Sequence, residues 1–271
     1  MKDIYVITGA TGGMGEDIAL NLNPKGINIL VDLDDKKLKK LSDELKKKKI
    51  ESISFNCDIT DQSRINELVE LVKETGHFKA LIHTAGISGH MGTANRILDV
   101  NLAGTALLTN AFYEIADNSI IILISSMSGR LVPDSFLYDK ALSNPLDPNL
   151  YRKIKLFAGK PDNAYAFSKK GVHMLVEREV GKWAFKNSRI ISVSPGAIET
   201  DLALLEAKNN PAVNIMIKHS PISRFGTVQE VTAMVKYLCS DDANFITGAD
   251  FLIDGGATSH MKYNNIFKEL K

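Results

Sequence analysis

Thr8-Gly9-Ala10-Thr11-Gly12-Gly13-Met14-Gly15 is the stretch that decides the fold. It stands between an apolar run at residues 4–7 and a helical pattern carried by Ile18, Ala19 and Leu22. Strand, glycine turn and helix in that order are what a phosphate-binding loop needs. The glycines permit the tight turn and let the backbone approach a pyrophosphate, which then faces the helix N-terminus. The next apolar run, residues 27–31, ends at Asp32, 23 residues beyond Gly9. A carboxylate near that spacing is placed to accept hydrogen bonds from an adenosine ribose. It also repels a 2′-phosphate, and no Arg or Lys stands at residues 12–15 or 33 to welcome one. NAD is therefore expected in preference to NADP. A glycine turn alone reads equally well as a surface loop; the strand, helix and acid in register give it meaning.

The alternation continues along the chain. Leu38, Leu41 and Leu45 mark one helix face, and residues 53–55 a third strand leading to Asp58 and Ile59. Ile65, Leu68, Val69 and Val72 have the spacing of an amphipathic helix. Strand-like residues 80–82 run into His83-Thr84-Ala85-Gly86, and a long helical stretch follows through Leu98, Leu102, Leu107 and Phe112. Ile120–Ile124 is continuously apolar, as a central parallel strand covered on both faces should be. Residues 190–193 and 251–253 complete seven strands, with a helix at 231–238 between the last two. The series implies an α/β fold with a doubly wound, seven-stranded parallel sheet, a Rossmann fold in a single domain over residues 1–271. Ligands of such sheets lie beyond the carboxyl ends of the strands, and Gly9 to Gly15, Asp32, Asp58, Gly86, Ser126 and Pro195-Gly196 all follow strands.

One further stretch carries chemistry. Tyr165 and Lys169 in Tyr165-Ala166-Phe167-Ser168-Lys169 are four residues apart, one turn along the same helix face. A lysine ammonium there favours the phenolate. Bringing a phenol of pKa about 10 near neutrality asks for about 4 kcal/mol.

Taken together, these residues resemble the short-chain dehydrogenase/reductase family, single-domain type. The family's Thr-Gly-x-x-x-Gly-x-Gly loop is met by Thr8, Gly9, Gly13 and Gly15, and its two acids after strands by Asp32 and Asp58. Its Asn-Asn-Ala-Gly motif is altered to His83-Thr84-Ala85-Gly86, which puts the usual asparagine contacts in question. The resemblance implies a catalytic set of Asn101, Ser126 (second of Ser125-Ser126), Tyr165 and Lys169. It implies cofactor contacts from Gly9, Thr11, Gly13, Met14, Gly15, Asp32, Asp58, Ile59, Ala85 and Gly86 in the first half of the chain. Asn101, Tyr165, Lys169, Pro195, Gly196, Ile198 and Thr200 supply the rest. The expected activity is NAD-dependent interconversion of a secondary alcohol and a ketone. Ser126 and Tyr165 are 39 residues apart, far more than is usual in the family, so residues 129–163 read as an insertion, with a helix expected over 150–157. The insertion is most similar to the bacterial 3α-hydroxysteroid dehydrogenase/carbonyl reductase branch, which implies a hydroxysteroid substrate and a homodimer or homotetramer. Residues 199–221, with Leu202, Leu204, Leu205, Val213, Ile215 and Met216, suit an apolar substrate lid.

Other classes fare less well. A net charge of +1, with 24% charged and 44% hydrophobic residues, points to no nucleic-acid or membrane partner. Two cysteines form no disulfide framework, no signal peptide precedes residue 4, and no apolar run spans a bilayer, so a cytoplasmic location is expected. His83, His90, His219 and His260 lack metal-ligand spacing, and no metal is expected. His173, two turns beyond Tyr165, can approach the same face but reads rather as a packed or surface histidine. Ser192 and Ser194 read as structural, with Ser194 able to approach the cofactor, and Trp183 as a core or interface residue. A non-catalytic dinucleotide sensor would not need the Tyr165 set. A sugar-nucleotide epimerase or dehydratase carries a larger C-terminal portion than residues 257–271.

Overall fold

The side chains of β1 (Asp3–Thr8) divide between two faces. Ile4 and Val6 enter one apolar core while Tyr5 and Ile7 enter another, as the two-residue period of a strand requires. A computed structural model describes residues 1–22, 26–201, 203–204, 207, 214, 217–218, 220–264 and 266. Around β1 it assembles β2 (Ile27–Asp32), β3 (Glu51–Asn56), β4 (His77–His83), β5 (Ile120–Ile124), β6 (Arg189–Pro195) and β7 (Asp250–Ile253). All pair in parallel, in the order β3-β2-β1-β4-β5-β6-β7. β5, made only of Ile and Leu, is buried along its whole length.

One face carries α3 (Gln62–Thr75), α5 (Thr105–Glu114) and α9 (Pro161–Ala184), which bury Leu68, Phe112, Val172 and Trp183 against Val6, Leu81 and Ile121. The other carries α1 (Gly13–Asn21), α2 (Asp35–Lys47) and, after β6, α10 (Val228–Cys239), which bury Ile18, Leu41 and Val235 against Ile7, Ile82 and Ile122. The chain leaves β3 at one edge and returns to place β4 beside β1, so a crevice opens above the ends of β1 and β4.

One feature differs from the sequence expectation. The long helix is broken into α4 (Ala94–Leu98), a π-helical turn (Asp99–Gly104) and α5. The Thr105 hydroxyl donates to the Asn101 carbonyl at 2.7 Å within this turn, and the Asn101 side chain clamps the backbone of Ile87. Neither contact leaves a mark on the apolar period. The segment after β5 is partly helical, as the sequence implied. It holds α6 (Met127–Leu131), α7 (Asp139–Leu142) and α8 (Leu150–Ala158), the last where a helix was expected.

This segment builds a third core with α4 and α9, joining Tyr138, Leu142, Leu150 and Ile154 to Ile97, Leu102 and Phe167. The Tyr138 ring meets Phe157 and Phe167 edge-on at 5.1 and 4.8 Å, and its hydroxyl donates to the Pro133 carbonyl at 2.6 Å. Lys170, buried on α9, reaches Asp134 at 2.6 Å and Asp139 at 3.5 Å. Most of the expected lid, including Leu202, Leu205, Val213, Ile215 and Met216, lies outside the described residues, as does His219. A final helix, α11 (Ala257–Asn264), follows β7. Among the described residues no helix is long and apolar enough to cross a membrane.

Removing the ring that joins the insertion to α9 should be costly. Tyr138→Ala is expected to lower the unfolding free energy by about 3 to 5 kcal/mol, whereas Tyr138→Phe, losing one hydrogen bond, should cost about 1 kcal/mol. Urea titrations of the two variants check both figures.

Candidate active site

Gly9 turns the chain at the end of β1 with φ +67°, and a Cβ there would lie 2.6 Å from the Ala85 amide nitrogen. Only glycine lets the loop press so closely on the segment after β4. A Cβ on Gly15 would lie 2.2 Å from the Gly9 carbonyl oxygen, which fixes the return of the loop into α1. Gly12 precedes α1, and among the described residues no side chain caps its first amides, whereas Asp34, Asp61, Thr93, Ser126 and Thr227 cap other helices. Uncapped amides and a close glycine turn fit a pyrophosphate. Gly13 faces Thr200, whose Cγ2 would be 3.0 Å from an added Cβ, so the segment after β6 reaches this loop. Met14 is half-buried against the core below, and Ile59 is buried beside Gly104.

The acids at the ends of β2 and β3 are already engaged. Asp32 accepts from the Thr11 amide and hydroxyl at 2.9 and 2.7 Å and from the Leu33 amide at 2.7 Å. One lone-pair position of about four is left for a ribose hydroxyl. Asp58 accepts from the Thr60 amide and hydroxyl and pairs with Arg96 at 3.1 Å. These bonds hold its carboxyl below the usual range against the opposing effect of burial.

The four residues expected to act in catalysis come from three elements. Lys169, 7% exposed, donates to the Ile124 carbonyl at 2.9 Å, and its ammonium lies 5.6 Å from the Tyr165 ring centroid. Burial pushes its pKa down from 10.5 to about 8. The Ser125 hydroxyl donates to the Lys169 carbonyl at 3.0 Å, tying the end of β5 to α9. Ser126 caps α6, its Oγ accepting from the Ser128 amide and hydroxyl at 3.2 and 3.0 Å. Asn101 holds the Ile87 amide and carbonyl, each at 2.8 Å. A Cβ on Gly86 would sit 3.1 Å from Asn101 Oδ1 and 3.7 Å from Lys169 Nζ, so these three residues share one corner. Past β6, the Gly196 amide donates to the Ile253 carbonyl at 2.8 Å, and Ile198 bridges to Gly226. A cavity of about 220 Å³ beside this segment is walled by Met127, Ile198, Ile222 and Leu252. None of the four catalytic candidates lines it.

The altered motif finds substitutes for its asparagines. The Thr84 hydroxyl donates to the Thr8 and Gly9 carbonyls at 2.8 and 3.2 Å, and His83 lies between Thr8 and Thr105. A second polar cluster went unrecognised in the sequence. His173 Nε2 lies 2.8 Å from Ser194 Oγ, and Ser192 and Ser194 both donate to Asp250 at 2.7 Å. Arg130 pairs with the same carboxylate at 2.5 Å. A hydrolytic triad needs serine and acid on opposite ring nitrogens, but here both face Nε2. The cluster instead fastens α6 and α9 to β6 and β7. His173 lies one turn beyond Lys169, a spacing that gave only an ambiguous signal, and Asp250 gave none.

A family profile described as short chain dehydrogenase matches residues 3–138, and one described as enoyl-(acyl carrier protein) reductase matches residues 154–258. The chain belongs to the short-chain dehydrogenase family. The residues between the two matches fall within the insertion. Among relatives of this short-chain dehydrogenase is a short-chain dehydrogenase/reductase of Alternaria brassicicola, 29% identical over 96% of this chain and 97% of its own. Cyclohexanol dehydrogenase of Acinetobacter sp. (strain SE19) is 28% identical, with 94% and 95% covered. NADH-dependent L-xylulose reductase of Ambrosiozyma monospora is 29% identical, with the same coverage. The structure of an NAD⁺-bound xylitol dehydrogenase shares the fold at a TM-score of 0.76, with 24% identity and coverage of 94% and 98%. The chain is thus an oxidoreductase of a family that uses a nicotinamide dinucleotide.

Burial holds two imidazoles neutral, with His83 pushed down to about 3 and His173 to about 4, although Asp250 opposes the shift at His173. Their folded values lie below the ordinary 6.5, so the unfolded chain binds protons that the folded chain refuses. Stability from these groups is complete above pH 6.5 and falls as pH drops toward 4, by about 1.4 kcal/mol per pH unit for each histidine. Urea midpoints at pH 7, 6 and 5 should therefore fall less steeply for His83→Asn than for the native chain. Lys169 behaves in the same sense at higher pH: its depressed value means that stability rises between pH 8 and 10.5. Lys169→Met, which removes the buried charge, should melt no lower than the native chain at pH 7.

Proposed function

We propose that this short-chain dehydrogenase interconverts a secondary alcohol and its ketone with NAD(H). The observation that carries the reading is the buried Lys169 ammonium beside Tyr165. A cation held out of water lowers the cost of the phenolate next to it, because low-dielectric surroundings strengthen the attraction. Tyr165, as phenolate, accepts the hydroxyl proton of the alcohol. Ser126 accepts two hydrogen bonds from Ser128, so its own proton is left to donate to the substrate oxygen and hold it against Tyr165. Lys169 uses one N–H on Ile124, leaving two for the hydroxyls of the nicotinamide ribose. Asn101 anchors a water near Lys169 in a proton relay. NAD, when bound, supplies the hydride acceptor; the chain supplies position, proton and field.

Gly9, Thr11, Gly13, Met14 and Gly15 would hold the pyrophosphate, with Asp32 on the adenosine ribose, Asp58 and Ile59 near the adenine, and Ala85 and Gly86 beneath. Pro195, Gly196, Ile198 and Thr200 would take the nicotinamide side. The free position on Asp32, and the absence of a cation at residues 12–15 or 33, support NAD over NADP. Relatives that act on cyclohexanol and L-xylulose support a small secondary alcohol or ketone. The resemblance carried by the insertion over residues 129–163 is what supports a hydroxysteroid dehydrogenase/carbonyl reductase acting as a homo-oligomer, and we place it in the cytoplasm, folded as one domain. The retained Tyr165 and Lys169 weigh against a nucleotide sensor.

Purified protein supplied with NAD⁺ or NADP⁺ and a panel of alcohols, bile acids and steroids tests the reading through the absorbance of reduced nicotinamide. Tyr165→Phe should bind NAD normally and lose turnover about 10³-fold; near-native rates would exclude the phenol as the proton acceptor. Asp32→Ala should weaken NAD and narrow its lead over NADP. A native enzyme that already prefers NADP would overturn the role given to Asp32.

A further inference from the structure

His83 ends β4, is 2% exposed, and replaces an asparagine of the family motif. Its Nδ1 lies 2.6 Å from Thr8 Oγ1 and its Nε2 2.9 Å from Thr105 Oγ1. The Thr105 hydroxyl donates its one proton to the Asn101 carbonyl at 2.7 Å, so toward His83 it can only accept. Nε2 therefore carries the ring proton, and the bare Nδ1 accepts from the Thr8 hydroxyl. Every donor runs the same way, from Thr8 through His83 and Thr105 to Asn101. A second ring proton would set donor against donor at Thr8 and bring a charge toward Lys169. Burial, with a smaller effect from Lys169, keeps the ring neutral.

Both ends of this chain lead to the site. Thr8 is the residue before Gly9, and its carbonyl is held by Thr84. Asn101 spends its side chain on Ile87, next to the Gly86 that approaches Lys169 Nζ. The π-turn thus sets where Gly86 and Ile87 lie relative to the ammonium, and Thr105 holds that turn to β4.

We propose that His83 is a positioning residue that couples the dinucleotide loop to the proton relay, its two ring nitrogens making Thr8 and the Asn101 turn move as one. The coupling rests on the reading of these two segments as cofactor loop and relay. It predicts that a change at Thr105, which touches neither loop nor cofactor, is felt by the cofactor.

The test uses the full chain and four variants: His83→Phe, Thr105→Val, their double and Thr105→Ser. NADH affinity is read by fluorescence titration, kcat and KM on an alcohol the native enzyme turns over, and Tm for each variant. Thr105→Val is expected to weaken NADH about fivefold and lower kcat by a similar factor. The double should be no worse than His83→Phe alone, and Thr105→Ser, which keeps the hydroxyl, should restore both values. If the single effects multiply in the double, or if Thr105→Val lowers Tm while NADH affinity stays native, the coupling is refuted. Should His83→Phe fail to fold, the ring ¹⁵N shifts of the native chain decide. A proton on Nε2 and none on Nδ1, unchanged from pH 8 to pH 5, is required; the other tautomer, or titration in that range, overturns the proposal. Bound NADH without turnover of any alcohol would sink the dehydrogenase reading and leave the affinity and ¹⁵N comparisons to judge the coupling.

Discussion

A lysine ammonium almost wholly withdrawn from water is the constraint around which the rest is arranged. The Lys169 ammonium donates to the carbonyl that ends β5. Burial that moves its pKa from 10.5 to about 8 corresponds to about 3 kcal/mol set against the fold. Such a charge persists only where neighbouring elements over-determine its place. Here β5 is buried along its length, Ser125 ties that strand to the Lys169 carbonyl, and Gly171 lets Leu102 close against α9 where any side chain would collide. In the proposed reaction that cost serves the chemistry, because the same dry environment would let the cation act strongly on the phenol one turn away.

Charge around this lysine is managed by keeping other groups neutral. His83 lies on one side, between two threonines, and His173 lies one turn farther along α9, against Ser194. Protonated His83 would add a second uncompensated cation to the interior, and His173 would have only the shared Asp250 carboxylate to answer it. Their hydrogen bonds join strands to helices around the site, so each ring serves as a neutral polar wedge. Asp250, which carries negative charge into the region, is matched by Arg130 and two serines.

The insertion enters the same economy through Lys170, the neighbour of Lys169. Its side chain leaves α9 toward Asp134 and Asp139, while Tyr138 packs its ring between Phe157 and Phe167. The helix that presents Tyr165 and Lys169 is therefore held by the sheet on one side and by the third core on the other. A long segment between Ser126 and Tyr165 does not loosen the site, because it folds onto the helix whose position matters.

The strands, the glycine turn, the acids after β2 and β3 and the Tyr165-Lys169 spacing were legible in the sequence. Each follows from a local rule: apolar periods set by strand and helix geometry, or a backbone conformation open chiefly to glycine. The helix at Leu150–Ala158 was legible for another reason: an unstructured loop of that length is uncommon in a compact domain. The π-turn at Asn101 was not, since it is made by a side chain clamping Ile87, 14 residues away. Nor were the links from His83 to Thr8, 75 residues apart, and from Ser194 to Asp250, 56 apart. Serine, threonine and histidine have no preferred partner until burial removes water as the alternative, and only the closed sheet removes it. Sequence alone determined the order of the strands and the residues proposed to bear the chemistry; the tertiary structure decided how those residues are held, because hydrogen bonds between distant side chains exist only once the chain has brought them together.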